Sequence, residues 1–353
     1  MSNHDVPRTL FVGIGKTGVA WYRCALPAMY LDQDWVGVGK GKSGLVMMTG
    51  LTERPLTVAD MSSYDVVVLQ QPATEEWLKT IRWLQDSGTT VLYEIDDYVQ
   101  AVRKKDDHVN QDKFGVETVR WYETCMRVCD GIIVSTPWLA KRYRAFNSRV
   151  WVCRNGLDLG RYNLSRPDRP GVAIGWSGGT GHLKAAMPWL QEVATVMEQR
   201  PEARFVSVGQ PFANSFIKRF GAERCLSMGF APLDTYPAAM TIFDIALAPA
   251  GKGNFYRGKS DLRWLEAGAL GIPVIADPDV YPDIEHGVTG FHAATPAELQ
   301  KTLLELIDDE ATRKRVGAAA RAYVREHRDM RVMAGQWADV LNEAVSAPIA
   351  EAI

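Results

Sequence analysis

"GKGNFYRGKSDLRWLEAGALGIPVIADPDVYPDIEHGVTGF" fills residues 251–291, and the order of residue types in it decides how the rest of the chain reads. Lys259-Ser260 opens a helix, and Leu265 to Ala276 runs from that helix through a turn into a short apolar strand. A second glycine loop, Gly287-Val288-Thr289-Gly290-Phe291, follows. Glu266 lies about two helical turns beyond Lys259, on nearly the same face. A helix start with a lysine suits phosphate, and a carboxylate so placed suits hydroxyls. The plain alternative is a solvated lysine and a helix-surface acid.

Upstream, strand-like runs alternate with helical ones. "TLFVGIG", "DVVVLQQP", "TTVLYEIDD" and "GIIVSTP" read as strands, each followed by a helix. Near-continuous apolar strands in this rhythm mean a parallel sheet covered on both faces. At 164–171, "LSRPDRPG" breaks the rhythm with proline, arginine and glycine, and reads as a linker and hinge. The alternation restarts with "VAIGWSGG", "RFVSVGQ", "FDIALAP" and "GIPVIAD" and ends in a helical tail. The predicted class is α/β, with two doubly wound domains in tandem, 1–165 and 166–328, and a last segment at 329–353.

Residues 9–29, "TLFVGIGKTGVAWYRCALPAM", echo two phosphate motifs. Gly15-Lys16-Thr17 is the tail of a Walker loop, but Leu10 stands where the first glycine belongs. Gly13, Gly15 and Gly18 spell the dinucleotide fingerprint, yet no acid ends the next strand, "WVGVG". Lys40 and Lys42 follow that strand and would suit a 2′-phosphate. A third reading is a turn where glycine is needed for steric reasons only.

A chain of 353 residues is comfortable for two domains. Its 46% hydrophobic and 23% charged content is that of a soluble globular protein. A formal charge of −2 excludes a global field for nucleic acid or an anionic membrane. No apolar run reaches membrane-spanning length, and no signal peptide is expected. The five cysteines form no C-x-x-C pair, Cys125 and Cys129 suit core packing, and a reducing cytoplasm is expected. The six histidines lack ligand spacing, His286 and His292 read as loop and core, and no required metal is expected.

The 251–291 stretch resembles the donor-binding signature of GT-B glycosyltransferases, in particular the retaining family 4 enzymes. "FDIALAP", "RNGLD" (154–158) and "DGIIVSTPWLAKRY" extend the resemblance over most of the chain. It implies two Rossmann-like domains facing across a cleft, with the final helix crossing back onto the first. It also implies no cofactor, a UDP- or GDP-sugar as substrate, retention, and a leaving diphosphate stabilised by lysines and helix N-termini rather than a metal. Glu266 would hold the ribose, with Lys259 and Ser260 at the diphosphate. The family's other glutamate position falls on Gly258, and Asn254, Arg257 or Lys259 would cover its contact with the donor sugar. In "GWSGGTGHLK", Gly178, Gly179 and Thr180 offer backbone N–H groups and His182 a side-chain donor. Lys184 stands for the family's lysine there, while the arginine position falls on glycine.

On the acceptor side, the resemblance brings the first glycine loop to the cleft through Gly15 and Gly18, with Tyr22 and Arg23 on the helix that follows. Asp96 and Asp97 of "YEIDD" end a strand at the carboxyl edge, where open α/β sheets bind ligands. The expected catalytic set is Lys259, Asp96, Asp97 and Arg23. Competing readings make Glu94-x-Asp96 the acidic metal motif of GT-A enzymes, or the aspartates mere cap or turn residues. A glycan, a lipid-linked sugar, a protein side chain and a modified nucleobase are all candidate acceptors. Two rival functions keep the architecture: an NADP-dependent two-domain oxidoreductase, and a non-catalytic nucleotide-sugar-binding protein.

Overall fold

Strands buried along their whole length set the architecture. In the computed structural model, which describes residues 5–15, 17–41, 44–49, 57–101, 115–179 and 183–346, Val66–Gln70 and Gly131–Val134 bury every residue. A parallel sheet sandwiched between helices requires this. The first sheet holds β1 (Thr9–Ile14), β2 (Asp34–Gly41), β3 (Gly44–Thr49), β4 (Val66–Gln70), β5 (Thr90–Ile95), β6 (Gly131–Val134) and β7 (Val150–Val152). Their order is β3-β2-β1-β4-β5-β6-β7. Only β3 runs antiparallel, paired with β2. The second sheet holds β8 (Val172–Gly178), β9 (Ala203–Gly209), β10 (Cys225–Met228), β11 (Ile245–Ala248), β12 (Val274–Ala276) and β13 (Phe291–His292). Its order, β10-β9-β8-β11-β12-β13, repeats the winding of the first. In each sheet the order reverses beside the first strand, so the ligand crevices lie at the carboxyl ends of β1 and β8.

The 9–29 stretch is a tightly packed strand-to-helix corner. Thr17 caps the helix start, its Oγ1 accepting from the N–H of Ala20 at 3.1 Å. A Cβ on Gly13 would stand 2.9 Å from that of Ala20, so this glycine lets the helix press on β1. The chain stays helical from Gly18 to Leu31 but widens into a π turn at Trp21–Ala25. Such turns concentrate at functional sites, and this one carries Tyr22 and Arg23. Lys16 and Lys42 lie outside the described residues.

The linker is not a free hinge. Arg166 donates to the Phe243 carbonyl and pairs with Asp244 at 2.6 Å, and Arg169 pairs with the same carboxylate at 3.1 Å. These bonds fasten 164–171 to the second domain. The chain's two crossings meet instead at Leu157, whose N–H donates to Arg328 O and whose carbonyl accepts from Met330 N, both at 2.8 Å. From there Met330–Ser346 returns to the first domain, where the Trp337 ring meets Phe11 edge-on at 5.7 Å. All five cysteines are buried and unpaired. No helix among the described residues is long and apolar enough to cross a membrane.

Candidate active site

A cavity of about 570 Å³ opens at the carboxyl ends of the two sheets and takes walls from both domains. That volume suits a small ligand. The helix Leu262–Ala269 forms much of its floor. It starts at Leu262, later than the expected Lys259, and Asp261 just before it is held by Arg328 at 2.7 Å. Trp264 fixes the same helix from behind, its Nε1 donating to Thr289 O at 2.9 Å.

This helix delivers Glu266 to the cavity, where the residue is only 5% exposed. Its Oε1 accepts from the Tyr22 hydroxyl at 2.6 Å and its Oε2 from the Tyr236 hydroxyl at 3.2 Å. The two phenols come from opposite domains. Tyr162 stands behind Tyr22, with 3.3 Å between hydroxyls, and Ser177 shares a hydrogen bond with Tyr236 at 2.9 Å. Burial pushes the Glu266 carboxyl up to about 7, against the opposing pull of Tyr22, Tyr236 and Arg263. Burial, reinforced by Glu266, drives both tyrosines well above the usual phenol range.

Lys259 and Asp97, read from the sequence as donor-side and acceptor-side groups, bond to each other across the cleft. Nζ lies 2.5 Å from Asp97 Oδ1 and 4.3 Å from the centre of the Phe255 ring. The Asp97 carboxylate is thus the lysine's partner in this structure. Asp96 lines the cavity and accepts from Gln71 Nε2 at 3.0 Å. Burial, then the charges of Asp97 and Glu94, raise its carboxyl to about 7, while Lys259 and Arg23 pull the other way.

Arg23, expected in the catalytic set, touches the cavity but is buried and held within the protein. It is 1% exposed, pairs through Nε with Glu94 at 2.6 Å, and donates from Nη1 to Cys153 O at 2.6 Å and Asn155 Oδ1 at 2.9 Å. Its guanidinium stacks 4.9 Å above the Trp337 ring. Among the described residues, its Nη2 has no hydrogen-bond partner. Asn155 passes the network on to Ser260, Nδ2 to Oγ at 2.9 Å. Glu94 also accepts from Gln70 Nε2 at 3.1 Å, so both its oxygens are engaged inside the protein and not offered to a metal beside Asp96.

Gly18, Gly178, Gly179 and Ser260 line the cavity as expected. Four other residues do not. Gly15 turns the chain at φ 59°, its N–H tied to Val38 O at 2.8 Å. Lys184 is exposed on the first turn of Leu183–Gln199. Asn254 is exposed, and Arg257 reaches outward to Asp279 at 3.0 Å. A Cβ at Gly258 would meet Tyr98 Cβ at 3.1 Å and Leu139 Cδ2 at 3.2 Å, so the opposite domain occupies the space a glutamate would need. Thr180 and His182 lie outside the described residues. Sequence reasoning missed Tyr236, Asn155 and Arg263. Only Arg263, one helical turn before Glu266, had a signal in its spacing.

A model of the glycosyl transferase-like family matches residues 189–339. A GDP-mannose-dependent monoacylated alpha-(1-6)-phosphatidylinositol monomannoside mannosyltransferase of Corynebacterium glutamicum is 28% identical over 172 residues. The match covers 46% of this chain and 43% of that protein, under half of either. Among solved structures, Anabaena Alr3699/HepE in complex with UDP and glucose has a TM-score of 0.67 at 17% identity, over 96% of this chain and 100% of that one. A glycosyltransferase of Rickettsia africae gives 0.67 at 14% identity, covering 97% and 100%. Sucrose-phosphate synthase of Thermosynechococcus elongatus gives 0.66 at 13%, again covering 97% and 100%. With both sheets wound outward from their first strands, a cleft between them and this likeness over nearly its whole length, the chain has the GT-B fold, and its 189–339 region is similar to the glycosyl transferase-like family.

Proposed function

We propose that the cleft transfers a sugar from a nucleotide-sugar to an acceptor hydroxyl, with retention and without a metal. The observation that carries the reading is Glu266, a buried carboxylate on the cavity floor whose oxygens are held by hydroxyl groups from both domains. The donor's ribose hydroxyls present the same chemistry as the two phenols and replace or share them at Glu266. The diphosphate lies toward Gly178, Gly179 and Lys259, and it competes with Asp97 for the lysine. Lys259 then stabilises the leaving group as negative charge grows on it. Asp96, poised near neutrality, orients the acceptor hydroxyl and takes up its proton. The mannosyltransferase relative is named for GDP-mannose, and the Anabaena structure holds UDP and glucose. Uridine and guanosine diphosphates are accordingly the donors to test first. We place the domain boundary at 165/166 and the enzyme in the cytoplasm, a compartment suited to five buried, unpaired cysteines.

Titration calorimetry with UDP and GDP, beside steady-state kinetics, tests this. Glu266→Gln should weaken nucleotide binding about ten- to a hundredfold, because it removes a charge-assisted acceptor of two hydroxyls. Lys259→Ala should lower kcat as well. Parent-like nucleotide binding by Glu266→Gln would overturn the assignment.

A further inference from the structure

Three cations line the described walls of the cavity: Arg23, Lys259 and Arg263. Two are already neutralised, Arg23 by Glu94 at 2.6 Å and Lys259 by Asp97 at 2.5 Å. Arg263 is not. Among the described residues it has no hydrogen-bonding partner and no ion pair, and its guanidinium carbon stands 5.8 Å from the centre of the Trp176 ring. Glu266, one turn further on, has each oxygen bonded to a tyrosine hydroxyl. The Arg263 side chain crosses the carboxyl end of β8 at a point kept clear for it, since a Cβ on Gly178 would lie 2.8 Å from Nη2. Lys184, the candidate from the sequence, is not on this wall.

We propose that Arg263 is the residue that anchors the donor's diphosphate, its planar guanidinium reaching phosphate oxygens beside Gly178 and Gly179. The proposal rests on the nucleotide-sugar reading of the cleft and adds which side chain reads the charge. A guanidinium offers parallel N–H donors that match two phosphate oxygens at once, a geometry an ammonium lacks. Because Arg263 has no carboxylate to leave, it can engage the anion before the Lys259–Asp97 pair is disturbed. Lys259 then takes its place as the leaving group forms.

The test is a ladder of ligands, uridine to UDP and guanosine to GDP, titrated against the parent, Arg263→Ala and Arg263→Lys. The parent should bind the diphosphate of one series far more tightly than its nucleoside. Arg263→Ala should bind that nucleoside like the parent, which also reports an intact fold, yet lose about ten- to a hundredfold toward the diphosphate. Arg263→Lys should recover only part of the loss. Undiminished diphosphate binding by Arg263→Ala would overturn the proposal, and so would equal losses toward nucleoside and diphosphate in both variants. A parent that binds neither series would instead overturn the nucleotide reading of the cleft, and this assignment with it.

Discussion

Replacing Tyr22 by Phe tests whether Glu266 is poised by its two phenols. The substitution keeps the buried ring and deletes the one hydroxyl that donates to Oε1 at 2.6 Å. A hydrogen bond to a charged acceptor contributes about 1.5–3 kcal/mol, and about 1.4 kcal/mol corresponds to one pKa unit. The bond favours the ionised form, so its loss should lift the Glu266 carboxyl by about one to two units above its value of about 7. Ribose hydroxyls need the carboxylate as acceptor, so donor affinity should scale with the ionised fraction. For the parent, binding should weaken about tenfold from about pH 8 to about pH 6. In Tyr22→Phe the same fall should begin about one to two units higher, leaving the variant about three- to twenty-fivefold weaker at about pH 7.5. The ligand should be a nucleotide-sugar, whose diphosphate diester does not titrate near neutrality. Glu266→Gln serves as the control in which the dependence flattens, leaving only what Asp96 contributes. Coincident curves for parent and Tyr22→Phe, or a midpoint moved downward, would refute the reasoning.

Glu94→Ala should destabilise the fold by about 3–5 kcal/mol in urea unfolding, because it leaves Arg23 charged and buried without its partner. Adding Arg23→Met should recover most of that loss, and a single variant as stable as the parent would contradict the pairing. Gly258→Glu should cost about 1–3 kcal/mol and enlarge the scattering radius, since its Cβ presses on Tyr98 and Leu139 of the opposite domain. An unchanged radius with unchanged stability would mean that this contact yields freely.

The fold was legible because buried strands write themselves as apolar runs: "DVVVLQQP" and "GIIVSTP" begin within a residue of β4 and β6 and run two and three residues past their ends. The antiparallel β2–β3 pair was not foreseen, since its second strand follows the first with no helix between to mark a crossover. At the site, residue types were readable and partners were not. Lys259 and Asp97 are 162 positions apart, and Tyr22 and Glu266 are 244. No local pattern announces such a bond, so a cation matched to a future ligand looks the same in sequence as one matched to a carboxylate. Arg263 escaped for the opposite reason. Its neighbour Glu266 drew attention to the helix, but that Arg263 has no partner among the described residues emerges only once their other charges have been placed.

The same pairings say where the domains can move. Among the polar contacts that tie the cleft walls together, Tyr22–Glu266, Lys259–Asp97 and Asn155–Ser260 each include a group assigned to donor binding. The crossing at Leu157 with Arg328 and Met330 is built from main-chain bonds that involve none of those groups. Arg154 and Arg328 reinforce it from beside the floor, where both engage Asp261 and Asp283. With the 164–171 segment fastened to the second domain, rotation is least obstructed at this crossing. Two bonds to carboxylates at about 1.5–3 kcal/mol each and one neutral bond at about 0.5–1.5 kcal/mol would cost about 4–8 kcal/mol to part. A micromolar ligand contributes about 8 kcal/mol, so a donor that satisfies the same groups offsets that cost. Opening and donor binding therefore draw on one set of side chains. A substitution that frees the cleft, at Tyr22 or Asp97, must alter donor affinity as well.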